Sequence, residues 1–143
     1  MSRLDERPID FRIFKDIYLL ETRYAAGAEI LGPGKPTGLM YVVKGGRACV
    51  QVQGVTVEDV REGGIFGEMG IVDPRPHTAS VFAVTEVQVF VINQNQFLQI
   101  VASTPTFALR VMRVLARRLR AMNARVPNLQ GAARDADDPA SPE

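Results

Sequence analysis

The stretch LMYVVKGGRACVQVQGVTVEDV, residues 39–60, constrains the fold of this chain more than any other. Ala48, Val50 and Val52 alternate with Cys49, Gln51 and Gln53, which is the two-residue period of a strand with one face buried. Gly45-Gly46 and Gly54 interrupt the β-branched runs where hairpin turns need permissive backbone. The pattern returns in TASVFAVTEVQVFVIN, residues 78–93, in two blocks. Upstream, YAAGAEILGPGKPTG predicts strand, turn, strand and then a Gly/Pro-rich loop. The sum is about eight short strands with helices at the two ends. The fold class is mainly β with terminal helices, an antiparallel barrel or jelly roll carrying a long C-terminal helix.

Two helices close the chain. NQFLQIVAS predicts a short one over about 94–102, with Phe97, Ile100 and Val101 facing inward. TPTFALRVMRVLARRLRAMNARV predicts a long one over about 105–125, with Thr104 as cap and Pro105 in the first turn. Phe107, Val111, Leu115, Leu119, Met122 and Val126 recur in steps of three and four and make one apolar stripe. The strands occupy about 19–92, and residues 1–126 read as a single domain. Residues 127–143 are small, polar and Pro-containing, a composition that cannot offset the entropy of ordering, so they are expected to be a disordered acidic tail.

Charge is unevenly placed. Residues 1–103 hold ten basic and twelve acidic side chains, whereas 104–126 hold six arginines and no acid. A solvated face is the commonest fate of such a run; binding to nucleic acid or to an acidic partner is the alternative. The 143 residues contain one cysteine and one histidine, Cys49 and His77. An internal disulfide is therefore excluded, and cytoplasmic localisation is expected. A zinc site is disfavoured, because it takes several such ligands. No nucleophile–base pair or catalytic pair of carboxylates is visible, so the chain is not expected to be an enzyme. The N-terminus lacks the apolar run of a secretory signal, and no stretch is long enough to span a membrane.

The chemistry concentrates in FGEMGIVDPRPHTAS, residues 66–80. Gly67 and Gly70 bracket Glu68 and Met69, allowing a tight turn into a short helical segment whose leading N–H groups attract anions. Glu68 puts a carboxylate in the same turn, which repels an anion. It therefore needs a different partner, either a ligand hydroxyl or a nearby arginine. A ligand with a phosphate and a ribose hydroxyl would satisfy both halves. The plainer reading makes the glycines turn residues and Glu68 a solvated cap.

The order AGAEI, GLMYVVKGGRACV, FGEMGIVDPRPHTASV and FVINQNQFLQIV resembles the cyclic-nucleotide-binding domain, the module of catabolite-activator-type regulators and of protein kinase A regulatory subunits. The resemblance covers roughly residues 15–125 and implies a β-roll flanked by helices. It also implies roles at the cassette. Gly67 and Met69 would offer backbone N–H groups to a cyclic phosphate. Glu68 would accept from the ribose 2′-hydroxyl, and Thr78 would bond the phosphate and could also meet the base. His77 departs from the pattern, standing where the family has a phosphate-clamping arginine. A neutral imidazole offers one donor where guanidinium offers a charged fork. Arg75 could substitute only if the loop rearranges.

The resemblance thus implies a stand-alone sensor with cyclic AMP or cyclic GMP as ligand and no other cofactor. It would signal through its C-terminal helix to an unidentified protein partner in trans. The competing reading is a family member that has lost its ligand and serves as an interaction module. No DNA-reading helix-turn-helix is seen after the long helix. In family dimers that helix pairs with its symmetry mate, which implies a homodimer here.

Overall fold

The computed structural model of the chain describes residues 8–35, 38–73 and 79–125. A 3-10 turn at Phe11–Phe14 precedes eight strands: β1 (Leu20–Tyr24), β2 (Glu29–Leu31), β3 (Leu39–Gly45), β4 (Ala48–Val52), β5 (Val55–Val60), β6 (Ile65–Phe66), β7 (Ala79–Ala83) and β8 (Val87–Asn93). Between β6 and β7 lies a four-residue helix, α1 (Met69–Val72). The long elements α2 (Gln94–Ser103) and α3 (Thr106–Arg125) follow the last strand. The strands form two four-stranded sheets, ordered β1-β8-β3-β6 and β2-β7-β4-β5. Every strand pairing is antiparallel. This is the β-roll with C-terminal helices that the pattern of runs and glycines predicted. The tail expected over 127–143 lies outside the described residues.

The continuous apolar run of β3 has a structural cause. Tyr41 and Val43 point into the roll, among Val50, Phe66, Val81 and Val89. Met40 and Val42 point the other way, into a second core with Ile9, Phe14, Ile92, Ile100, Phe107 and Val111. Because the strand is covered on both faces, it reads as a block rather than as an alternation. The next strand along the chain, β4 in the other sheet, is covered on one face and alternates.

The second core holds the helices to the roll. Asn93 caps α2 by accepting from the Gln96 N–H, and the Gln96 side chain returns the bond to the Asn93 N–H. This reciprocal pair satisfies two donors that the first helical turn leaves open. Phe97 and Phe107 then pack at 5.8 Å between ring centroids, and Phe107 meets Phe14 at 6.2 Å. At 1.5 Å per residue α3 runs for about 30 Å.

The buried side of α3 differs from the predicted stripe. Phe107 and Val111 are buried as expected, but the next positions inward are Val114, Arg118 and Ala121. Leu115 packs only at the margin, and Leu119 is 56% exposed. The Met122 side chain and Val126 lie outside the described residues. Steps of four, three, four and three continue a true helical face; the predicted stripe leaves it at Leu115, since Val114 and Leu115 are both apolar and steps of three and four from Val111 are equally helical.

Candidate functional site

The turn at the centre of the chain is held by its neighbours. Tyr41 and Val42 of β3 pair with Phe66 and Ile65 of β6, and the Tyr41 and Phe66 rings stack with centroids 4.9 Å apart. Gly67 follows with φ at +77°, a conformation that side chains other than glycine seldom take. A Cβ there would stand 3.0 Å from the Leu39 carbonyl oxygen and 3.0 Å from the Tyr41 ring. Both obstacles belong to the sheet and cannot move away cheaply. Gly67→Ala is therefore expected to lower unfolding free energy by about 1–3 kcal/mol. Urea titration would measure it, and a loss below a few tenths would mean the turn adapts.

After Gly67 the chain turns into α1. The Gly70 N–H donates to the Gly67 carbonyl at 3.0 Å and the Ile71 N–H to the Glu68 carbonyl at 3.0 Å. The N–H groups of Gly67, Glu68 and Met69 thus lead the first internal bonds of the turn. The Met69 side chain is exposed, so what this residue brings to the turn is its backbone.

Glu68 is 3% exposed, the one buried charged residue among the described residues outside the partly covered arginines. It is not a solvated cap, because its carboxylate is taken by Arg118 of α3. Arg118 Nη1 donates to Glu68 Oε1 at 2.6 Å and to Oε2 at 2.7 Å. Arg118 Nε donates to Glu58 Oε1 of β5 at 2.6 Å, and Nη2 donates to the Ile65 carbonyl of β6. Glu58 uses its other oxygen for Arg117, whose Nη2 lies at 2.9 Å. One guanidinium thereby joins three segments of the roll to the long helix. Burial works against its charge, but Glu68 and Glu58 outweigh burial and hold its pKa above the ordinary arginine value. Its contribution to stability is complete below the ordinary arginine value and is lost only as pH rises through the raised one, so Arg118 keeps its charge at physiological pH.

Burial also pushes the Tyr41 hydroxyl up to about 12, with Tyr24 adding to the shift. Tyr41 is therefore a neutral wall of the roll at any pH where the fold is used. Among the described residues no three His, Cys, Asp or Glu side chains converge as metal ligands. No helix among them is long and apolar enough to cross a membrane.

Of the five residues singled out from sequence, Gly67, Glu68 and Met69 share this turn. His77 and Thr78 lie outside the described residues, between Asp73 and the start of β7 at Ala79.

The family model described as "Cyclic nucleotide-binding domain" matches residues 21–104. The chain belongs to that family. The cyclic nucleotide-binding match spans β1 to the end of α2 and includes the whole central turn. A curated relative is the CRP-like cAMP-activated global transcriptional regulator of Mycobacterium tuberculosis, 29% identical over 74% of this chain and 50% of that protein. Glutaminase 2 of Bradyrhizobium diazoefficiens is 34% identical over 72% of this chain but only 17% of its own length. The chain thus spans half, or much less, of the curated relatives it matches. The solved Thermus thermophilus catabolite activator protein superposes with a TM-score of 0.65 at 22% identity, over 82% of this chain and 62% of that one, which shows a shared fold.

Sequence reasoning missed three side chains of this cyclic nucleotide-binding domain: Arg118, Arg117 and Glu58. A signal for Arg118 was present. Continuing the buried steps Phe107, Val111 and Val114 by four lands on it. Glu58 carried no such signal, because a register shift opposite Val50 and Gln51 breaks the alternation of β5 just before it.

Proposed function

We propose that this chain is a cyclic-nucleotide sensor that reports through α3. The observation that carries the reading is the bond between Glu68 and Arg118. In the family resemblance Glu68 is the acceptor of the ribose hydroxyl. Here the same carboxylate is joined to the long helix at 2.6 Å. A ligand that takes a share of Glu68 must change what Arg118 holds, and so must bias α3. Gly67 and Met69 are assigned to the cyclic phosphate through their N–H groups, and His77 and Thr78 to the phosphate and base. Regulation, rather than catalysis, is the role that fits. The share of the glutaminase that matches is a small part of that enzyme. The proposed setting is the cytoplasm, with an unidentified protein partner receiving the signal in trans.

Titration calorimetry with cyclic AMP and cyclic GMP, from micromolar to millimolar, tests this directly. Saturable heat that disappears in Glu68→Gln supports it. No heat with either nucleotide at millimolar concentration sinks it. The ion pair also favours a second reading, an interaction module without ligand, since Glu68 is already satisfied by protein. A thermal-shift series separates the two: a true ligand raises the midpoint with concentration by mass action.

We further propose that α3 pairs with its counterpart in a second copy. Leu109, Met112, Ala116 and Leu119 are all exposed, on the side of α3 away from Phe107 and Val111. Their steps of three, four and three make the seam of a two-stranded coiled coil, and Asn123 continues it at a position where asparagine favours dimers. Leu119→Glu is expected to shift the protein to monomer in sedimentation velocity at concentrations near 10 μM, on the order of a tenfold weaker association. An unchanged sedimentation coefficient would remove this seam from consideration.

A further inference from the structure

We infer that Glu58 is a positioning residue that holds the C-terminal half of α3 on the roll and limits how far a ligand at Glu68 can loosen it. The inference deepens the sensor reading, since it concerns regulation of the same site, but its first test needs no ligand.

The argument starts from how α3 is attached. Up to Val114 the helix is held by apolar packing: Phe107, Val111 and Val114 are all in the helical core. Beyond Leu115, which packs at its margin, that core ends. A cavity of about 380 Å³ opens beside the helix there, with Arg110, Val114 and Arg117 on one side and Gly63, Gly64 and Ile65 on the other. Across it the helix is attached mainly by charge. Arg117 and Arg118 both reach Glu58, at 2.9 and 2.6 Å, one to each carboxylate oxygen. Ala121 adds a small apolar contact to the roll core.

The division of labour at Arg118 sets the consequence. Its Nη1 faces Glu68, the residue that a ligand would engage, while its Nε faces Glu58. The two acids and two arginines balance in charge. Glu58 therefore supplies an anchor that a ligand at Glu68 does not compete for. With Glu58 present, disturbance of Glu68 leaves the helix attached by Arg117 and by the Nε of Arg118. Without it, attachment of the C-terminal half loses both bonds to Glu58, depends more heavily on Glu68, and becomes more sensitive to whatever occupies Glu68. Coupling in this direction requires two attachments of unequal ligand sensitivity, which this network has.

The test is hydrogen exchange of the full chain, comparing native protein with Glu58→Gln. Glutamine keeps the shape and removes the charge. Without nucleotide, backbone amides over 115–125 are expected to exchange at least about tenfold faster in Glu58→Gln, a ratio that corresponds to a 1.4 kcal/mol shift in opening. Amides of α2 and of β3 should be unchanged, which a general loss of stability would not allow. Unchanged exchange over 115–125 overturns the inference. Should Glu58→Gln fail to fold, Arg117→Gln removes half of the same anchor at a partly exposed position. The expectation there is a smaller acceleration confined to the same segment, and no acceleration overturns the inference equally. Repeating the measurement with saturating cyclic AMP separates the two proposals. If the nucleotide changes exchange in Glu58→Gln much more than in the native chain, Glu58 is what limits the ligand's hold on docking. If cyclic AMP changes nothing in either protein while the ligand-free difference stands, the anchor survives and the sensor reading fails.

Discussion

Arg118→Ala is expected to destabilise the protein by about 3–5 kcal/mol, because it leaves Glu68 as a buried charge without a cation. For a domain of this size that corresponds to a fall of roughly 10–25 °C in Tm. The magnitude follows from burial. A surface ion pair is worth no more than about 1 kcal/mol, since water replaces either partner when the other is removed. Glu68 is 3% exposed and Arg118 has three acceptors, so water cannot make the same replacement here. The controls discriminate. Glu68→Gln keeps a polar group that Arg118 can still donate to, and should cost less than Arg118→Ala. The double variant Arg118→Ala with Glu68→Ala should recover part of the loss, since no buried carboxylate then remains at 68. A single-variant loss below about 1 kcal/mol would mean that water reaches Glu68, and that α3 is not fastened at this point.

His77→Arg is expected to raise affinity for cyclic AMP or cyclic GMP at least tenfold. A charge-assisted, two-pronged contact to a buried anion is worth roughly 2–5 kcal/mol when truncated. That is on the order of thirty-fold to several thousand-fold in affinity. The native histidine supplies one donor, and only its protonated form supplies charge. This gives a second, independent signature. A bound anion raises the pKa of an imidazole that touches it, so its favourable contribution is present at low pH and fades as pH rises through the bound-state value. Native affinity should therefore strengthen from about pH 8 to pH 6, around the ordinary histidine value near 6.5. In His77→Arg that slope should vanish, because guanidinium stays charged throughout. Calorimetry at three pH values measures both. No gain from His77→Arg, together with a flat native profile, would mean that position 77 does not meet the ligand.

These two expectations pull on the same carboxylate from opposite sides. Arg118 satisfies Glu68 from the helix, while the proposed ligand would satisfy it from within the roll. On the proposed sensor reading, a weak anion clamp at His77 and a strong internal partner at Arg118 both favour the unliganded arrangement. The sensor reading thus implies a ligand that works against a stable resting state, and Glu58 deepens that state.

The backbone plan of the roll could be read from the residues in order. Period-two alternation in β4, the glycines at its ends and the β-branched blocks at 78–93 report local geometry, and local geometry is what short-range sequence encodes. The turn at Gly67 was legible for the same reason, since its positive φ calls for glycine at that one place. The partner of Glu68 was not legible beyond its type. The carboxylate needed either a hydroxyl or an arginine, and six arginines within 104–126 could have supplied it. Choosing Arg118 required knowing that α3 crosses β5 and β6 with that residue inward, fifty positions along the chain from Glu68. Helical periodicity picked out Leu119 because it is apolar, and a lone guanidinium is costly to bury. Only the tertiary arrangement brings Glu58, Glu68 and the Ile65 carbonyl to one point and removes that cost. Local chemistry fixed the strands, the turn and the acid at its head, while long-range packing decided which cation answers it.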